Sequence, residues 1–295
     1  MSNHAVITVA TDLQSLSGPA LEAAARFARR FEARKVVLVH GVKSGGALSA
    51  LRDGETRAFE SARARMEAIT ADFGGAEVIR TVRSGPPARV VVEAADEHDA
   101  GIIVVSSHGY GSLRRAVLGS VANAIVRAAH CPVLVVGPDR PGTGPVEQIT
   151  AAVDFSAVTD RVVRSAVHFA AAFQAPVRVV SVFEAAGLLV SDAGDVETGV
   201  TKAEVDALRA RRVEELQSLE ALAEGRVAIH TELLDGVSPP DVLLRETEQT
   251  APSLLVIGTS GHDGWHRIVL GSTADQVLSE AKCPVLVIPS ESPPL

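Results

Sequence analysis

The feature that most restricts what this chain can fold into is an internal repeat. The first half carries Ser106-Ser107-His108-Gly109, nine residues, Gly119-Ser120, and then Cys131-Pro132-Val133-Leu134-Val135. The second half carries Gly258-Thr259-Ser260-Gly261, nine residues, Gly271-Ser272, and then Cys283-Pro284-Val285-Leu286-Val287. The pairs 109 and 261, 119 and 271, and 131 and 283 each differ by 152, so the region repeats without a gap. A repeat of that length is domain-sized, which indicates a duplicated domain rather than a solenoid of short units. A chain of 295 residues can give each copy its own core.

Within each copy, short β-rich runs alternate with segments of helical apolar spacing. In the first copy strands are expected at 6–10, 35–40, 76–83, 101–106 and 132–136, with helices over 18–31, 51–73, 87–98 and 119–129. Gly74-Gly75 is the expected stop of the long helix. Residues 137–145, rich in Gly and Pro, interrupt the pattern, and the cycle then restarts. Strands are expected there at 148–153, 177–182, 226–234, 254–257 and 284–288, with helices ending at Phe173, over 202–223 and 240–249, and opening near Ser272. Such alternation implies parallel sheets covered on both faces. The expected fold is therefore α/β, as two tandem doubly wound five-stranded parallel-sheet domains over 1–138 and 148–295, joined by a linker at 139–147. The aspartates that end the first strands, Asp12 and Asp154, differ by 142 rather than 152, so the second copy carries a net insertion of ten residues, expected within 185–199.

Composition excludes several classes. A net charge of −8 opposes nonspecific attraction to nucleic acid or to an anionic membrane surface. The start lacks a basic region followed by an apolar core, and no apolar run approaches the ~20 residues that span a bilayer, so a cytoplasmic location without membrane insertion is expected. Cys131 and Cys283 occupy equivalent positions before prolines and read as buried structural thiols rather than a disulfide or redox pair.

The repeated loop is where chemistry is expected. Glycine at 258, 261 and 271 would let main-chain N–H groups approach an anion, while Ser272 and Thr273 stand where a helix should begin. Unpaired amides and the helix dipole both favour negative charge at such a place. The alternative is a flexible loop followed by a capped helix; recurrence in both halves weighs against it. In the first half Ser106 replaces the leading glycine and removes freedom at positive φ. Ligands in open α/β sheets bind beyond the carboxyl ends of the strands where the winding reverses, which brings Asp154 near Gly258. An aspartate there can accept from ribose hydroxyls or an adenine amino group, or it can be a turn or cap residue.

Other motifs carry less. His262 and His266 are four apart, but Gly261 and Gly264 favour a loop over a helical metal site. Arg267 and its counterpart Arg115 fit either a phosphate contact or a surface charge, and His108 reads as a loop residue rather than a general base. Ser260 is not in a G-x-S-x-G elbow, and neither G-x4-G-K-[ST] nor a first-strand G-x-G-x-x-G is present.

The pattern G-x2-G-x9-G-[ST] ahead of a helix and a C-P-V-L-V strand resembles the universal stress protein family, here as a tandem member with both copies in one chain. The resemblance implies a Rossmann-like, adenine nucleotide alpha hydrolase-like fold and binding of ATP (or ADP or AMP), with Mg²⁺ left open. It implies a nucleoside contact at Val153 and Asp154, an adenine border at Val182 and Ile257, and phosphate contacts at Gly258, Gly261, Gly271, Ser272 and Thr273. The matching first-half positions are Thr11, Asp12, Gly41, Val105, Ser106, Gly109, Gly119, Ser120 and Val121. It also implies pairing of the two fifth strands as a pseudo-twofold dimer within the chain, with a homodimer and an unknown protein partner left open. The readings that remain are a nucleotide-binding stress protein, a slow ATP hydrolase, and a scaffold with vestigial loops.

Overall fold

The computed structural model describes residues 6–14, 18–42, 52–107, 118–137, 144–184, 201–250, 253–259 and 270–290. Gly109, Gly261, His108, Ser260, His262, His266, Arg115, Arg267 and the segment 185–199 therefore lie outside the described residues, as does 138–143 of the expected linker region.

The first half runs β1 (Val6–Ala10), α1 (Gly18–Arg30), β2 (Lys35–Val42), α2 (Arg52–Glu67), β3 (Glu77–Ser84), α3 (Pro87–Glu97), β4 (Ile102–Ser106), α4 (Ser120–Ala128) and β5 (Val133–Val136). The second runs β6 (Ile149–Ala152), α5 (Thr159–Phe173), β7 (Val177–Phe183), α6 (Lys202–Ser218), β8 (Ile229–Asp235), α7 (Pro239–Thr250), β9 (Leu254–Gly258), α8 (Ser272–Glu280) and β10 (Val285–Ile288). The order β3-β2-β1-β4-β5-β10-β9-β6-β7-β8 makes one ten-stranded sheet. Every pairing within a half is parallel, and β5 meets β10 antiparallel with Leu134 opposite Leu286.

Alternation along the strands splits the core into two layers. Ile7 and Val9 face a cluster that includes α1 and α5, and Val6 and Ala10 face one that includes α3, α4 and α8. Both clusters contain residues of both halves, so the apolar core is continuous across the β5–β10 seam. Helix α1 buries Ala20, Ala23, Ala24 and Ala28 beside Phe27, small side chains that allow close approach to the sheet.

Two expectations are corrected. Helix α2 stops at Glu67 rather than at residue 73. Arg80 of β3 donates to the carbonyls of Met66 and Ile69 at 3.3 and 3.0 Å, and Arg29 donates to the carbonyl of Asp72 at 2.6 Å. Arg80 thus takes two carbonyls that a helix running on to residue 73 would have used, while the Asp72 carbonyl taken by Arg29 would have been free at its end. Helix α6 likewise ends at Ser218, with a 3-10 turn over Leu219–Ala223. The strand registers also divide the ten-residue insertion. Ile7 faces Val36 and Ile149 faces Val177, an offset of 141 at the second strand; Val36 faces Val78 and Val177 faces Ile229, giving 151; Ile7 faces Ile102 and Ile149 faces Leu254, giving 152. The second half is one residue shorter before β7, ten longer between β7 and β8, and one longer before β9.

Candidate functional site

In each half the winding reverses beside the first strand, because β1 lies between β2 and β4, and β6 between β7 and β9. The registers show what meets at that rim. Ala151 faces Val256 and Ala152 faces Val180, so continuing each strand by two residues sets Val153 level with Gly258 and Asp154 level with Val182. The ladder does continue, since Val153 N donates to Val180 O at 2.9 Å. In the first half Val9 faces Val104 and Ala10 faces Val39, which sets Thr11 level with Ser106 and Asp12 level with Gly41. Neighbouring strands lie about 4.8 Å apart, so the aspartate, the second-strand residue and the end of the fourth strand share one edge.

Both aspartates are held by the same local device. Asp12 Oδ1 accepts from Gln14 N at 2.8 Å, and Asp154 Oδ1 accepts from Ser156 N at 3.0 Å. Between them Leu13 and Phe155 adopt φ of 58° and 59°. A left-handed non-glycine residue costs on the order of 1–2 kcal/mol, and tertiary contacts hold it there. Arg65 of α2 donates to the carbonyl of Leu13, and the Arg212 guanidinium of α6 lies 4.7 Å from the centre of the Phe155 ring. The turn role left open in the sequence is therefore real. It occupies one lone pair of an exposed carboxylate in Asp154, which retains acceptor capacity for a ligand.

The glycines have other reasons than those expected. Gly258 is not among the described residues with positive φ; a Cβ there would stand 2.6 Å from Val158 Cγ2, so close packing of the start of α5 is what demands glycine. Gly119 and Gly271 are extended N-caps with φ of −59° and −61° and no side-chain cap bond, so Ser120 and Ser272 are the first helical residues rather than caps. Gly119 N donates to Ser107 O at 2.7 Å and Gly271 N to Thr259 O at 2.8 Å, clipping each helix to the end of its fourth strand. Thr259 N donates to Ile288 O at 3.0 Å. These amides are engaged within the protein and are not donors for an anion. Those that remain are at the first three helical positions, 120–122 and 272–274, which have no carbonyl four residues back within the helix.

The rim thus brings together Val153, Asp154, Val182, Ile257, Gly258, Gly271, Ser272 and Thr273, and in the first half Thr11, Asp12, Gly41, Val105, Ser106, Gly119, Ser120 and Val121. Sequence reasoning passed over Ser107 and Thr259, each 1% exposed, whose carbonyls anchor the helices. The Thr259 Oγ1 has no partner among the described residues. The available signal was their 152-residue spacing, without chemistry to single them out. Arg161 of α5 donates to the carbonyls of Pro289 and Ser290 and ties the chain after β10 to the same edge.

Among the described residues no group of His, Cys, Asp and Glu is arranged to hold a metal, and no helix is long and apolar enough to cross a membrane. Cys131 and Cys283 are free thiols, the first half-buried and the second buried, and burial pushes the Cys131 thiol up to about 12.

The Universal stress protein family profile matches residues 5–137 and 145–289. A universal stress protein of Mycolicibacterium smegmatis is 26% identical over 296 residues, covering 96% of each chain. One from Methanocaldococcus jannaschii is 32% identical over 150 residues, covering 50% of this chain and 85% of that one. Among solved structures, a universal stress protein from Archaeoglobus fulgidus superposes with a TM-score of 0.68 at 20% identity, covering 98% of this chain and 99% of that one, which supports the fold. With both halves matched by the profile and a relative aligned over nearly the full length, the chain belongs to the universal stress protein family.

Proposed function

We propose that this protein binds an adenine nucleotide at the reversal point of the second half, and at the equivalent point of the first, and that occupancy alters the conformation or partner surface used in a stress response. The observation that carries this is the convergence, on one sheet edge, of a turn-held carboxylate with first-turn amides that have no acceptor within their own helix. Asp154, with Val153 beside it, contacts the nucleoside and accepts from ribose hydroxyls, Val182 and Ile257 border the adenine, and the amides after Gly271 take a phosphate together with Gly258, Ser272, Thr273 and, outside the described residues, Gly261. Thr11, Asp12, Gly41, Val105, Ser106, Gly109, Gly119, Ser120 and Val121 form the first-half counterpart. The division into 1–138 and 148–295, joined by 139–147, belongs to the same proposal.

Equilibrium binding of labelled ATP to the full-length protein tests it. Intact protein is expected to bind, and Asp154→Ala to weaken the second-half site at least about tenfold, the scale of a lost charge-assisted hydrogen bond. No binding by intact protein, or unchanged affinity in the Asp12→Ala/Asp154→Ala double variant, would refute the reading.

A further inference from the structure

Residues that touch their own repeats locate the pseudo-twofold axis. Leu134 faces Leu286, its repeat at an offset of 152. On one face of the sheet Phe27 of α1 and Phe31, the residue just after that helix, pack on Phe169 and Phe173 of α5, their repeats at an offset of 142, with ring centroids 5.5 Å apart for the first pair and 6.0 Å for the second. On the other face Asn123 of α4 donates through Nδ2 to Oδ1 of Asp275 of α8, 152 residues away, at 3.2 Å. A residue bonded to its own repeat sits at the axis, where in a pair of like halves it would meet a copy of itself.

The polar residues at this place are not copies. Arg127 donates through Nε to Asn123 Oδ1 at 2.7 Å and stands 3.6 Å from Asp275 Oδ1 through Nη2. Its repeat is Ser279, whose hydroxyl donates to the carbonyl of Asp275 at 2.9 Å. The first half supplies an amide and a cation, and the second a carboxylate and a hydroxyl. Two second halves would set carboxylate against carboxylate with no cation, and two first halves would bring two arginines together with no carboxylate. The seam strands, Val133–Val136 and Val285–Ile288, are nearly identical apolar edges that pair with any similar edge. Choice of partner then depends on the unlike polar groups, because repulsion in the wrong pairing is what separates otherwise equal alternatives.

We propose that Asn123, Arg127 and Asp275 form a heterotypic lock that fits the β10 edge to the β5 edge of the same chain and against a second copy of the same half. Like-with-like exchange between chains would leave each chain with two open pairing faces and build chains of molecules; the lock works against it.

Full-length wild type, Asn123→Asp, Asp275→Asn and the exchange variant Asn123→Asp/Asp275→Asn are compared by thermal unfolding, and by light-scattering mass after refolding at high concentration. Asn123→Asp sets two carboxylates on the axis and is expected to lower Tm by on the order of 2–4 °C and to yield oligomers on refolding. Asp275→Asn, which leaves two amides, is expected to lose less. The exchange variant is expected to regain the wild-type Tm and mass, because Arg127 reaches both positions, 2.7 Å from Asn123 Oδ1 and 3.6 Å from Asp275 Oδ1, and can pair with a carboxylate at either. If Asn123→Asp alone fails to fold, recovery in the exchange variant supports the lock. A wild-type Tm for Asn123→Asp, or an exchange variant as low as the sum of the single changes, would overturn it.

Discussion

Gly258→Ala is the most direct test of why the rim is built as it is. The added Cβ would lie 2.6 Å from Val158 Cγ2, with Val162 Cγ2 at 3.6 Å. Carbon atoms settle at about 3.5–4.0 Å, so roughly an ångström must open between β9 and the start of α5. Val158 is 5% exposed and is the N-cap residue of α5, so its methyl has little room to retreat. Overpacking of this kind costs about 1–3 kcal/mol. Urea unfolding of the full-length protein should show that loss in Gly258→Ala, and much less, under about 0.5 kcal/mol, when the change is made on a Val158→Ala background that removes the opposing methyl. The coupling between the two changes should therefore be about 1–2 kcal/mol. Ser106, the repeat of Gly258, already carries a Cβ, so Ser106→Ala should be close to neutral. A neutral Gly258→Ala, or a cost the Val158→Ala background leaves intact, would refute the close-packing argument.

Three further outcomes are expected. Phe169 is fully buried and meets Phe27 and Phe31 edge-on at 5.5 and 5.2 Å, so Phe169→Ala should cost about 3–5 kcal/mol in urea unfolding, one of the largest single losses at the seam. Burial pushes the His168 imidazole, stacked on Phe31 at 5.5 Å, down to about 4, while the unfolded chain titrates near 6.5. The unfolded state therefore binds the proton first as pH falls, so the stability His168 contributes is complete above about pH 6.5 and is lost toward pH 4, by roughly 1–2 kcal/mol for a half-buried, solvent-screened group; urea midpoints at pH 7 and 4.5 should show this slope, flattened in His168→Gln. The Cys131 thiol, pushed up to about 12, should react with iodoacetamide at pH 8 at least about tenfold more slowly than an exposed cysteine, followed by mass spectrometry of the native protein.

What the sequence determined by itself was everything that depends on local pattern: the duplication, the order of strands and helices, and the placing of Asp12, Asp154 and the glycine-bearing loops after particular strands. Apolar periodicity and a fixed 152-residue spacing are properties of the chain read linearly, and they survive whatever the strands pair with. The tertiary structure alone decided which groups are already occupied. That Gly271 N is bonded to Thr259 O, that Gly258 is small because Val158 leans on it, and that α2 stops where Arg80 takes its carbonyls are all facts about partners far along the chain or across a loop. Pairing of the two fifth strands was already expected from two apolar edges in one chain and from the family resemblance; the register that sets Leu134 opposite Leu286, and the meeting of Asn123 with Asp275, were decided by the structure. A hydrogen bond or a van der Waals contact belongs to a pair of groups, and sequence names the members of the pair without saying that they meet.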